Sequence, residues 1–183
     1  MPASVAPLST AGDRPFECLD EAHRHIVRQL DELTALTLAL DGGGASPAQR
    51  QRARALARWF GSEARQHHVD EEQHVFPPLL SSGDDALSQT ALRLIQDHGW
   101  LDTDWGEISP ILTAVAEGQA WFDPVVLRHA VDVFRQLYLD HIALEESVAY
   151  PGARARMAPA GLVAMDREMA QRRAQREVRS ARR

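Results

Sequence analysis

Two stretches of this chain present the same donor side chains in the same order, His-x-x-x-Glu-Glu-x-x-x-aromatic-Pro, from His67 to Pro77 and again from His141 to Pro151. His67, Glu71, Glu72, Phe76 and Pro77 recur as His141, Glu145, Glu146, Tyr150 and Pro151 at one offset of 74 residues. A fainter echo joins them, because His23 precedes Ile26 as His98 precedes Leu101, 75 residues later. Chance composition does not readily give such a duplication, and it is a natural way to build a metal site from two halves. Residues four apart on a helix share a face, so His67 with Glu71, and His141 with Glu145, each aim a nitrogen and a carboxylate at a common point. Two such helices facing each other can hold two cations, with the glutamates bridging between them. Imidazole and carboxylate without thiolate suit iron, manganese or zinc.

A rival register, His68 with Glu72, has the same spacing, but the repeat partner of His68 is Ile142, which binds no metal. Glu72 and Glu146 recur together and are expected in solvent or behind a histidine, orienting it. Ferritin-like carboxylate proteins carry two Glu-x-x-His motifs. Here only Glu71 with His74 fits, and Val148 stands at the corresponding place. His74 is then a packing or supporting residue, His25 and His129 belong on the surface, and Cys18 is inert packing.

Positioning these residues requires long helices, and the chain is punctuated for them. Ser46, Pro47 and Gln49 form a cap, a first-turn proline and a capping box, and Asp123 with Pro124 repeats the device. Helices are expected at about 16–41, 47–76, 85–117 and 124–150, each with an apolar stripe running through one repeated histidine. A buried unpaired charge costs several kcal/mol, so glutamates on such stripes need a cation or dense hydrogen bonding. The climb from His23 to the end of the first helix, about 27 Å, nearly cancels the climb of about 30 Å up the second to His67. The third and fourth helices balance in the same way, which brings all four histidines to one level near one end. Pro110 is expected to kink the third helix away from the site. The expected fold is all-α: an up-down-up-down four-helix bundle over 16–153 with an extra C-terminal helix, a flexible N-terminal arm at 1–15 and an arginine-rich C-terminal helix or tail at 154–183.

The 183 residues, 44% of them apolar, suit one globular domain, and a single cysteine excludes an internal disulfide framework and Cys-rich zinc sites. That favours a reducing compartment. With no leader and no stretch of about 20 apolar residues, the reading is cytoplasmic, with no membrane partner. The net charge of -6 is uneven: residues 1–153 carry 23 acids against 11 arginines, and residues 154–183 carry nine arginines against three acids. An acidic body argues against nucleic acid as the main partner. The basic tail is expected to be solvated or folded back on that body.

At these residues the chain resembles the hemerythrin-like family, in the bacterial branch named for its His-His-Glu cation-binding repeats. The resemblance runs over about 16–176 and includes Met165 to Arg173, which is similar to that family's C-terminal arginine-containing helix. It implies that His23, His67, Glu71, His98, His141 and Glu145 hold two iron ions in an oxo- or hydroxo-bridged, non-haem centre for a small diatomic or peroxide ligand: dioxygen, peroxide or nitric oxide. Oxygen-carrying members have another histidine where Asp102 stands, and an aspartate one residue after Glu145. His68 is the candidate to replace the missing fifth histidine, because some relatives place a ligand directly after the second-helix histidine, and Asp102 is the second candidate.

That count has a chemical consequence. Two octahedral irons sharing two carboxylates and one oxygen bridge keep two positions open with four histidines, and one with five. Two open positions favour turnover or redox sensing, and one favours end-on dioxygen. The expectation is a sensor or scavenger in oxidative or nitrosative stress. The alternatives are an oxygen carrier or iron store, a catalase- or peroxidase-like enzyme, and an interaction role in which the tail docks a second copy or another protein.

Overall fold

The computed structural model describes residues 14–41 and 43–181, and every element among them is helical. Helix α1 spans Arg14–Leu38. The second rod is compound: α2 (Pro47–Trp59), a π-helical turn (Phe60–Ala64), α3 (Arg65–His74) and α4 (Phe76–Leu80) follow one another. Helix α5 (Asp85–Glu117) is the third rod. The fourth joins α6 (Pro124–Leu144), a second π-helical turn (Glu145–Ala149) and α7 (Tyr150–Arg154). Helix α8, Pro159–Ala181, returns across the assembly. The first rod packs on the second and fourth and the third on the same two, so the four close into a ring.

Local chemistry sets the ends. The Ser46 hydroxyl accepts from the Gln49 amide at 3.3 Å while the Gln49 side chain accepts from the Ser46 amide at 2.7 Å, the reciprocal box expected there. Asp84 and Asp123 cap α5 and α6 by accepting from first-turn amides. Gly118 ends α5 at φ 84°, a left-handed conformation that a side chain would strain.

Three boundaries differ from the sequence expectation. The first helix starts at Arg14, so residues 14 and 15 of the expected arm are helical, and the rest of that arm lies outside the described residues. The second and fourth rods run past Pro77 and Pro151 because each proline sits at the start of a short new helix, where its missing N–H breaks no bond. Helix α5 continues through Pro110.

Two apolar clusters fill the interior, with the histidine layer between them. One gathers Ile26, Leu30, Leu56, Phe60, Leu101, Val131, Phe134 and Tyr138. The other gathers Phe16, Leu19, Val75, Phe76, Leu94, Tyr150, Met165 and Met169, so α4, α7 and α8 stopper the end on which the histidines converge. Helix α8 is folded back on the acidic body. The Arg172 guanidinium donates to Asp70 at 2.6 Å and Gln73 at 2.7 Å, and lies 2.8 Å from His74 Nε2. Arg176 pairs with Glu63 at 2.6 Å. Breaking this clamp with Arg172→Ala is expected to cost about 1–3 kcal/mol, the usual loss when a charged hydrogen bond to a buried carboxylate is removed. The check is limited proteolysis, with cleavage after residue 153 accelerated. Among the described residues no helix is long and apolar enough to cross a membrane.

Candidate metal centre

The layer between the two clusters is polar and almost dry. His23, His67, His98 and His141 are each at most 5% exposed, and Glu71 and Glu145 are at 0%. His23 comes from α1, His67 and Glu71 from α3, His98 from α5, and His141 from the end of α6, with Glu145 opening the π turn.

Each carboxylate divides its oxygens between two groups of rings. Glu71 Oε1 lies 3.2 Å from His67 Nε2 and 3.7 Å from His23 Nε2, and its Oε2 lies 3.5 Å from His98 Nε2. Glu145 Oε2 lies 3.1 Å from His23 Nε2, and its Oε1 lies 3.1 Å from His141 Nε2. Ligands on one cation, at about 2.1 Å and right angles, stand about 3 Å from each other, which is this spacing. Two overlapping sets of donors result: His23, His67, Glu71 and Glu145 in one half, and Glu71, His98, His141 and Glu145 in the other.

The donors fit cations on a second count. Both nitrogens of His67, Glu71 Oε2, and both oxygens of Glu145 are buried and have no hydrogen-bond partner. So many orphaned polar atoms in one dry layer would be costly unless positive charge satisfied them.

His68 joins the second half, its ring stacked on His98 at 4.0 Å and one of its nitrogens within 4.8 Å of donor atoms on His98 and His141. Asp102, the other candidate, is instead half-exposed and faces Arg65 at 3.4 Å. Behind the rings, Glu146 Oε1 lies 2.9 Å from His23 Nδ1 and Glu72 Oε1 lies 2.8 Å from His98 Nδ1. These repeated glutamates fix the tautomer that turns Nε2 inward. Glu72→Gln or Glu146→Gln is therefore expected to weaken metal binding about 10–100-fold without abolishing it, measurable by chelator competition. His74 contacts α8 and lies outside the centre. His129 is exposed, while His25 is half-buried against Trp59 at 4.9 Å rather than on the open surface.

Without cations the carboxylates act on the imidazoles. Burial pushes His23 down, but the adjoining carboxylates of Glu145 and Glu71 outweigh it and hold the ring up at about 10. His141 is held at about 9 against its burial, chiefly by the Glu145 charge. His67, with burial unopposed by comparable bonds, falls to about 3, and burial also drives His68 well below the usual range. Burial would raise Glu71, yet the surrounding histidines, His67 foremost, hold it well below the carboxylate range.

A sequence profile, the hemerythrin HHE cation-binding domain, matches residues 14–153, a span that contains every one of these donors. The chain belongs to the hemerythrin family. It is also similar to an uncharacterized protein of Haemophilus influenzae, 29% identical over 135 residues that cover 73% of this chain and 76% of the relative. The cation-binding description of this hemerythrin domain agrees with its His/Glu clusters.

Two tyrosines belong to the site and were not among the sequence candidates. Tyr138 Oη lies 3.2 Å from His68 Nε2, and Tyr150 Oη lies 2.5 Å from Glu71 Oε1 and 2.9 Å from His23 Nε2. The π turn explains Tyr150. In an α-helix the fifth residue onward is rotated by about 140°, but here the Tyr150 amide bonds the Glu145 carbonyl, which returns the chain to the same face after five residues. On the other side of this hemerythrin site, a cleft of about 420 Å³ reaches His67 between α1, the second rod and α8, and is bordered by His25, Trp59, Asp70 and Met169.

Proposed function

We propose that the protein is a non-haem di-iron member of the family, built as an up-down-up-down four-helix bundle, that binds or reacts with dioxygen, peroxide or nitric oxide in sensing or scavenging. The observation that carries this reading is the division of Glu71 and Glu145, each with one oxygen toward each half. Iron fits the histidine-carboxylate donors best within this family, and manganese and zinc are the alternatives. The iron pair would supply redox chemistry at a position open to a small ligand.

The chain's own residues set where that position falls. His98, His141 and His68 serve one half, whereas His23 and His67 serve the other, so with five histidines the single open position belongs to the His23 and His67 half. The cleft under α8 reaches this half and gives a small ligand a route to it. Helix α8 roofs the cleft, which supports a reporting role for the tail toward a second copy or another protein.

A single open position also favours a second reading, reversible oxygen carriage. Mixing the di-ferrous protein with dioxygen, peroxide and nitric oxide in turn, with iron analysis and optical spectra, separates the two. Rapid peroxide loss or a nitric oxide response supports sensing or scavenging. A long-lived reversible oxygen adduct with neither response would select the carrier, and zinc without iron would remove both.

A further inference from the structure

The two copies of the duplicated phrase differ at several places, two of which lie beside the donor rings, and those two differences compensate. The first copy has His68 where the second has Ile142, and Phe76 where the second has Tyr150. Phe76 packs on His98 at 5.4 Å, and Tyr150 packs on His23 at 5.3 Å, so the two aromatic rings occupy equivalent places around the layer. Only Tyr150 carries an oxygen. The half with His68 has a plain phenyl ring, and the half without a third histidine has a phenol.

From this exchange we infer that Tyr150 is the third donor of the His23 and His67 half, binding ferric iron as a phenolate. The inference rests on the di-iron reading and deepens it. Tyr150 Oη stands 2.9 Å from His23 Nε2 and donates a hydrogen bond to Glu71 Oε1 at 2.5 Å, which places its oxygen among the donors of this half. It is 5% exposed, so no bulk water competes for it. The π turn that begins at Glu145 is the backbone device that places it there. On binding, the phenol releases its proton to solvent and the oxygen donates to the metal. A phenolate is a hard, anionic donor that prefers ferric to ferrous iron. With ferric iron bound, Tyr150 would fill the last position of this half, and a small ligand would enter there by displacing it.

The chain has only two tyrosines, which makes the test decisive. Iron-loaded, air-oxidised protein is expected to show a visible phenolate-to-iron charge-transfer band with tyrosinate ring modes in resonance Raman. Tyr150→Phe should lose the band, retain about two irons per chain by metal analysis, and shift the reduction potential upward. Tyr138→Phe should keep the band. Two irons per chain in the wild type with no tyrosinate modes overturns the phenolate and leaves the di-iron reading standing, while a protein that takes up no iron overturns both. Should Tyr150→Phe fail to fold, Tyr138→Phe still decides, because loss of the band in that variant assigns it to the wrong residue.

Discussion

Glu145→Ala is expected to remove nearly all metal from the protein, taking it from about two cations per chain to a small fraction of one. Its two oxygens face opposite halves, 3.1 Å from His23 Nε2 and 3.1 Å from His141 Nε2, so one substitution takes a donor from both. It also leaves the raised rings of His23 and His141 with less negative charge to balance a returning proton or cation. Glu71→Ala should match it, since that carboxylate is divided in the same way. His67→Ala removes a donor from one half directly and should also lose most of the metal, because the shared carboxylates couple the two halves. His25→Ala should leave the metal in place, as its ring lies against Trp59 and in no donor set. Metal analysis after loading and desalting reads the series. Equal loss in the His25 variant would show that the inward face has been misassigned.

The duplicated phrase made the donors legible because helical spacing, register and residue type all pointed one way. His67, Glu71, His141 and Glu145 needed only the four-residue rule, and the climb along each helix brought His23 and His98 to their level. His68 came from family resemblance alone. Its sequence position, next to His67, puts it about 100° around the helix, and only the packing against His98 shows that this direction still meets the second half. Tyr150 was hidden for a different reason. Counting from Glu145 at α-helical spacing turns it away from the layer, and nothing in Glu145–Ala149 announces a π turn. The hydroxyl at a place where the first copy has phenylalanine was the available signal. The prolines misled in the opposite sense, since Pro77 and Pro151 look like stops and instead begin α4 and α7. Those two short helices and α8 form the stopper that keeps the layer dry, so what the sequence suggested was the end of each rod is part of the site's enclosure.

Stripping the metal is expected to lower stability by an amount that depends on pH in a direction the site dictates. With free cation about 1,000-fold above its dissociation constant, binding to the native state alone contributes about 4 kcal/mol. At about 2–4 °C per kcal/mol for a chain of this length, chelation should lower the unfolding midpoint by about 8–16 °C. In the metal-free protein, His23 at about 10 and His141 at about 9 lie above the unfolded value of 6.5. Their contribution is complete below about pH 6.5 and disappears as the pH rises through 9 and 10. Glu71, held low, contributes above its unfolded value of 4.5 and is lost only in stronger acid. The loaded protein runs the other way, because cations need the same rings deprotonated and release protons as they bind. The gap between loaded and metal-free midpoints should therefore be narrow near pH 6 and widen steadily toward pH 9. Calorimetry of both forms across that range checks it. A gap that stays constant would mean that protons and cations do not compete for His23 and His141, and that the metal lies elsewhere.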